Sequence, residues 1–310
     1  MNMDAEITIV IPVYNRAHIV GRTLESVAHQ TLRPLDVILV DNNSSDNSYE
    51  VLQAWKQANE APDFRVTVLS ETKQGACAAR NRGLAEVTTP YVMFFDSDDV
   101  MLPCHAESFV DAFRQDRTLD IVGRNITISF LNGAKSTKKF RGTLYHHIFH
   151  SSFSTQKYAI RTELVRSIGA WNTRLLGWND YELGLRILTT ASPRVKALKG
   201  VSVITYQQKD SITGTDFSSK HSVWESALDE CENLIRNASL PIRYIRYINL
   251  RRVILAGHYR KEGSSHAKRI IDEVLTKEHN CIRRLFYRFA YRYVASGGRG
   301  IALLAPLVLR

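Results

Sequence analysis

The chain has 310 residues, 44% of them hydrophobic and 23% charged, with a formal net charge of +10. That composition excludes a disordered or fibrous chain. No stretch reaches the ~18 apolar residues of a membrane span, and the opening MNMDAEITIV lacks the basic-then-apolar order of a signal peptide. Four cysteines, Cys77, Cys104, Cys231 and Cys281, lie far apart with no CxxC pair, which suits a reducing cytosol and argues against a zinc site or a disulfide framework. The charge is unevenly divided. Residues 1–120 carry 10 basic and 18 acidic side chains, a balance of −8, which leaves 31 and 13, or +18, for residues 121–310. A basic second half is expected to meet something anionic, such as a membrane surface, nucleic acid or a phosphorylated substrate.

The first hundred residues alternate regularly. Residues 7–13 form a β-rich run, and the spacing of Ile19, Val20, Leu24 and Val27 predicts a helix over 17–29. A strand over 37–40, a helix from about 46 to 56, a strand over 64–69 and a helix from about 76 to 85 follow. The apolar run 91–95 predicts a fourth strand, and Pro103 opens a helix from about 105 to 113. Strands alternating with helices of this length imply βαβ units and a parallel sheet covered on both faces.

Ligands of such sheets bind outside the carboxyl ends of the strands, and the unusual residues cluster there. The first strand ends in Pro12-Val13-Tyr14-Asn15, the second in Asp41-Asn42-Asn43-Ser44-Ser45-Asp46, and the fourth in Asp96-Ser97-Asp98-Asp99. Three carboxylates within four residues repel one another unless something positive lies among them. A solvated turn is the plain reading; a divalent cation such as magnesium or manganese, held by hard oxygen donors, is the sharper one. The dinucleotide fingerprint GxGxxG and the phosphate loop GxxxxGK[ST] are both missing. In Lys73–Gly83 a glycine and small residues precede Arg80 and Arg82, either of which can reach a phosphate or a neighbouring carboxylate.

These segments, in this order and spacing, resemble the family 2 glycosyltransferases of the GT-A fold, over residues 6 to about 115 with a fainter trace to about 214. The resemblance implies a Rossmann-like, mostly parallel sheet flanked by helices. It places Pro12, Tyr14 and Asn15 at the border of a nucleotide pocket, Asp41 and Asn42 near uracil and ribose, and Arg80 and Asp96 in the donor site. It makes Asp98 and Asp99 the ligands of Mg²⁺ or Mn²⁺, with Asp98 the principal one, bridging the two phosphates of a sugar nucleotide. The segment Gly177-Trp178-Asn179-Asp180-Tyr181-Glu182 resembles the family's acceptor-side acidic pair, with Asn179 where a Glu often stands. It implies Asp180 as general base and hence inversion at the anomeric carbon. The family segment that commonly supplies a His to the metal is Tyr206–Thr213 here and has none; either Gln208 or Lys209 takes its place or the metal is held without this ligand.

From about Lys220 the alternation stops and helices follow. Ile282, Leu285, Phe286, Phe289, Ala290, Tyr293 and Val294 share one face of a helix, with Arg283, Arg284, Arg288 and Arg292 on the other side. The pattern fits an interfacial membrane helix over 282–294 or a helix packed on the catalytic domain with its arginines in water. The chain thus divides at about 219 into a catalytic domain, with donor half 1–115 and acceptor half 116–219, and a basic helical region 220–310. The function expected is metal-dependent, inverting transfer from a nucleotide-sugar donor, UDP-linked, to a saccharide or lipid-linked saccharide acceptor in cell-surface glycan synthesis. Nucleic acid is not an expected partner; the expected location is the cytoplasm, with peripheral contact at the inner face of the membrane. The rivals are a sugar-nucleotide nucleotidyltransferase and a non-catalytic protein that grips membrane or nucleic acid.

Overall fold

Leu35–Asp41 is buried at every residue, as a strand with helices on both faces must be. A computed structural model of the chain describes residues 4–207 and 216–310. Four strands, β1 (Ile7–Val13), β2 (Leu35–Asp41), β3 (Phe64–Ser70) and β4 (Tyr91–Phe94), are joined by α1 (Val20–Ala28), α2 (Ser48–Asn59) and α3 (Ala76–Glu86). They lie in the order β3-β2-β1-β4, all parallel, with Ile9 opposite Val37 on one side and Met93 on the other. This arrangement matches the alternation read from the sequence, with boundaries shifted by a few residues.

Beyond β4 the sheet becomes mixed. A short β5 (Val100–Met101) leads to α4 (His105–Gln115), β6 (Ile121–Ser129), β7 (Lys135–Lys138) and α5 (Leu144–His150). Then come β8 (Tyr158–Arg161), α6 (Thr162–Ser167), α7 (Asn179–Thr190) and β9 (Val195–Tyr206). Strand β8 inserts between β4 and β6, antiparallel to both, and β9 runs parallel to β6. His146, His147 and His150 sit on α5. His147 is fully buried, with its Nε2 2.7 Å from the carbonyl oxygen of Tyr181.

The period-two alternation of the strands sorts the core. Ile9, Ile11, Val37 and Leu39 face Leu24, Phe109 and Phe113 on one side of the sheet. Val10, Ile38, Val40 and Phe94 face Ala79, Leu84, Trp171 and Leu183 on the other. Helix α3 approaches so closely that a Cβ on Gly83 would lie 2.4 Å from a methyl of Val10.

A third core forms where α8 (His221–Asn237), α9 (Arg243–Lys261), α10 (His266–Lys277), α11 (Cys281–Ala295) and α12 (Ala305–Val308) gather against α5 and α7. Trp224, Tyr181, Tyr259 and Tyr287 are its largest fully buried side chains. Helix α11 splits the face expected of it. Phe286, Tyr287, Ala290 and Val294 are buried, whereas Ile282, Leu285, Phe289 and Tyr293 point outward. None of the described helices is long and apolar enough to cross a membrane.

Candidate active site

A cavity of about 650 Å³ opens at the carboxyl edge of β1, β2 and β4, and the start of α7 closes it from the far side. Of the residues singled out from the sequence, Pro12, Tyr14, Asn42, Arg80, Asp96, Asp98 and Asp180 line it together. Asn15, Asp41 and Asp99 stand behind the wall, and each has a definite task there.

Asn15 takes a positive φ of 50° and accepts a bond from the amide of Ser45 at 2.8 Å, tying the turn after β1 to the turn after β2. Buried Asp41 accepts from the Ser44 amide at 3.1 Å. Asn42 spends its whole amide on the loop before α3. It donates to the carbonyls of Glu71 and Lys73 at 3.0 and 2.7 Å and accepts from the amide of Gly75 at 2.7 Å. An aspartate could not make the two donations, which explains asparagine here. The side chain therefore shapes the rim rather than offering free edges to a base.

The acidic cluster is held by a framework invisible in the linear sequence. Arg80, 5% exposed, donates to Asp96 at 2.7 Å and lies 4.4 Å over the ring of Trp171, while its Nε and Nη1 have no hydrogen-bond partner among the described residues. Gln156 donates from one nitrogen to both Asp96 and Asp99, at 2.6 and 2.5 Å. The other oxygen of Asp99 accepts from the amide of Tyr206 at 3.1 Å. Two residues of α1 grip the backbone of the turn: Arg22 donates to the Asp98 carbonyl and Thr23 to that of Asp99. Among the described residues no side chain donates to the carboxylate of Asp98. Burial, and then the neighbouring Asp96, raise its pKa. Burial raises that of Asp99 further, with Asp96 and Asp98 adding to it. No three His, Cys, Asp or Glu side chains are grouped to hold a metal among the described residues. Asp98 nonetheless turns a half-buried carboxylate to the cavity with that of Asp96 beside it, hard oxygen donors of the kind a divalent cation takes, while Arg16 and Arg22 work against the rise in its pKa.

Across the cavity, α7 starts from Trp178 in a left-handed conformation, φ 50°, wedged between Trp224 at 5.2 Å and the guanidinium of Arg251 at 5.2 Å. This strained residue aims Asp180 into the cavity. Burial raises the pKa of Asp180; Arg80 works against that shift, and Asp96 adds to it. Glu182, two residues on, is spent on Arg186 with bonds of 2.7 and 2.9 Å, so only Asp180 is available. Beneath it Lys157 is 2% exposed, its pKa pushed down to about 8 by burial, with Asp180 opposing the fall. Gln156 and Lys157 were not among the residues singled out from the sequence. Gln208 and Lys209 lie outside the described residues.

The family model for glycosyl transferase family 2 matches residues 8–169. The chain belongs to glycosyl transferase family 2. Glycosyltransferase GlyG of Streptococcus pneumoniae is 30% identical over 170 residues, 54% of this chain and 52% of its own length, so the chain spans about half of that relative. An uncharacterized glycosyltransferase of Haemophilus influenzae is 27% identical over 270 residues, 79% of this chain and 86% of its own. Among solved structures, residues 1–349 of S. aureus TarS in complex with UDP superpose with a TM-score of 0.63 at 16% identity, covering 97% of this chain and 91% of that one. Mannosyltransferase PcManGT from Pyrobaculum calidifontis, in complex with GDP-Man and Mn²⁺, gives 0.61 at 17%, covering 99% and 87%. The fold expected from the sequence is therefore the fold found: a GT-A glycosyltransferase with a helical C-terminal region. The rival readings as a nucleotidyltransferase or a non-catalytic binding protein fall away.

Proposed function

We propose that this glycosyltransferase moves a sugar from a UDP-linked donor to a saccharide acceptor, lipid-linked in cell-surface glycan synthesis, with inversion at the anomeric carbon. The observation that carries the reading is the single cavity on which strand-end carboxylates and Asp180 converge from opposite walls. Pro12 and Tyr14 border the nucleotide, and Asn42, Asn15 and Asp41 keep the two rim turns in register for it. Arg80 has two buried donors without partners among the described residues, Nε and Nη1, suited to phosphate oxygens that arrive with the donor. Asp98, with Asp96 beside it, would hold Mg²⁺ or Mn²⁺, and Asp99 would brace that pair through Gln156. Such a cation supplies charge neutralisation for the departing nucleoside diphosphate.

Asp180 receives the proton of the acceptor hydroxyl. Its raised pKa suits a base, and the buried cation of Lys157 balances its charge between turnovers. One displacement from the face opposite the leaving group gives inversion. Trp178, its ring held between Trp224 and Arg251, lines the acceptor side of the cavity. Residues 1–219 then form the catalytic unit, donor half first, and 220–310 buttress its acceptor wall through Trp224.

TarS, solved with UDP and with UDP-GlcNAc, supports a uridine donor; PcManGT, solved with GDP-Man, makes guanosine the comparison. The test is release of nucleoside diphosphate from a panel of UDP- and GDP-sugars, with Mn²⁺ and with excess chelator. The reading requires turnover of at least one UDP-sugar that chelator abolishes. Turnover indifferent to chelator would remove the metal, and turnover of GDP-sugars alone would remove uridine.

A further inference from the structure

Helix α11 seats one flank and leaves a second apolar flank in water. On the seated flank Tyr287 is fully buried, its hydroxyl donating to the Arg246 carbonyl at 3.0 Å, and Val294 packs so near Gly257 that a Cβ there would come within 2.7 Å of it. On the outward flank Ile282, Leu285 and Phe289 are 66%, 62% and 54% exposed, at spacings of three and four residues. The row continues to Tyr293, whose ring stacks on Phe289 at 5.7 Å and whose hydroxyl donates to the Arg299 carbonyl at 2.9 Å. That bond ties the end of the row to the turn before 301–304, where Leu303 is 70% exposed; Leu307 of α12 is 72% exposed. Isolated exposed leucines need no explanation, but a row of large side chains at helical spacing does.

The charges beside the row indicate what covers it. Arg284, Arg288 and Arg292 recur every four residues on the adjoining line of α11, and none forms an ion pair among the described residues. Residues 281–310 hold six arginines and no aspartate or glutamate. A second copy of the chain, meeting this face with the same face, would set arginine against arginine. An anionic bilayer instead meets the arginines with phosphates and receives the apolar row among its acyl chains.

We propose that the outward face of α11, with Leu303 and Leu307, docks this glycosyltransferase on an anionic bilayer as a peripheral, reversible anchor. The face lies on the helical layer, away from the residues that line the cavity, so docking leaves the crevice open. It concerns where the enzyme works and not what it transfers, and its failure would leave the transfer reaction as described.

The test is flotation of the purified full-length protein with vesicles of phosphatidylcholine alone or with 30% phosphatidylglycerol, a proportion chosen as roughly that of a strongly anionic membrane. The protein should float with the anionic vesicles at least about tenfold better than with the neutral ones, and rising salt should weaken the difference by screening. The double substitution Leu285→Glu with Phe289→Glu, at two exposed positions, should abolish flotation. It should leave the thermal melt and the solution rate of nucleoside diphosphate release unchanged. A second variant, Arg288→Glu with Arg292→Glu, should lose the preference for anionic lipid. Three results would overturn the proposal: no flotation of the wild type with anionic vesicles, equal flotation of the Leu285/Phe289 variant, or a wild-type dimer in solution that this variant dissociates without any vesicle binding.

Discussion

The crevice and the outer helical layer of α9–α11 organise charge in opposite ways. In the crevice, Asp96, Asp98 and Asp99 are held close against their mutual repulsion, and buried Arg80 and Gln156 are spent on keeping them there. In the helical layer opposite charges are paired, as between Arg269 and Glu225 or Glu273 and, with little exposure, between Arg252 and Glu232, around an aliphatic and aromatic core. The difference teaches that the two regions carry separable burdens. On the proposed reading, crevice carboxylates cost stability and serve chemistry, while the helical layer gives stability and, through its outer face, position.

The strongest challenge to that division is Asp98→Ala. Transfer should fall to background, while the melting temperature should hold or rise. The sign follows from the raised pKa. A carboxyl harder to ionise in the folded state stabilises only below its unfolded pKa, near 4, and is a net cost once pH rises through its folded value, as at pH 7. A large fall in melting temperature, seen by calorimetry, would mean that Asp98 is structural.

Tyr287→Ala examines the other side. It empties a fully buried position between α11 and α9 and removes the bond to the Arg246 carbonyl, so denaturant unfolding should show a loss of about 3–5 kcal/mol. The rate per folded molecule should stay near wild type. A lowered rate in the folded fraction would show that the layer takes part in chemistry.

Asn42→Asp sharpens the comparison by finding structure inside the crevice. It sets a carboxylate against the carbonyls of Glu71 and Lys73, which should cost about 1–3 kcal/mol in unfolding and raise the KM for donor more than it lowers kcat. An unchanged KM would detach the rim from the nucleotide.

The smallest effect concerns acid. Burial pushes His105, under the sheet, down to about 3 and His147, beneath α7, down to about 4, so both stay neutral in the fold at pH 5–7. The unfolded chain takes up those protons below its ordinary 6.5. Stability should therefore be full above pH 7 and decline by about 1 kcal/mol per histidine between pH 6.5 and 5.5. Replacing His147 with Gln should reduce the slope measured by urea unfolding; an unaltered slope would mean that His147 is protonated in the fold.

How much of this was legible in sequence follows from how local each signal is. The parallel half was readable because every strand from β1 to β4 is a short apolar run followed by helical spacing, and because its polar residues fall at strand ends. The mixed half was not, since the insertion of β8 between β4 and β6 depends on pairings such as Val92 with Ile160, far apart in the chain. Gln156 and Lys157 matter only through partners on other elements, and a single sequence gives no such partners. The hydrogen bonds of Asn42 were hidden for the same reason: its amide answers to Glu71, Lys73 and Gly75, not to the neighbours that flank it. Helix α11 showed its apolar stripe and its arginines plainly, but only packing reveals that the stripe is divided between core and water.

The central claim is that opposite walls of one cavity handle donor and acceptor separately. Calorimetric titration of UDP with Mn²⁺ into wild type, Asp98→Ala and Asp180→Asn, paired with transfer rates, tests it most directly. The account predicts that Asp98→Ala loses both UDP binding and transfer. It predicts that Asp180→Asn binds UDP like wild type and transfers ~10²–10⁴-fold more slowly. Loss of UDP binding in Asp180→Asn, or its retention in Asp98→Ala, would contradict the division.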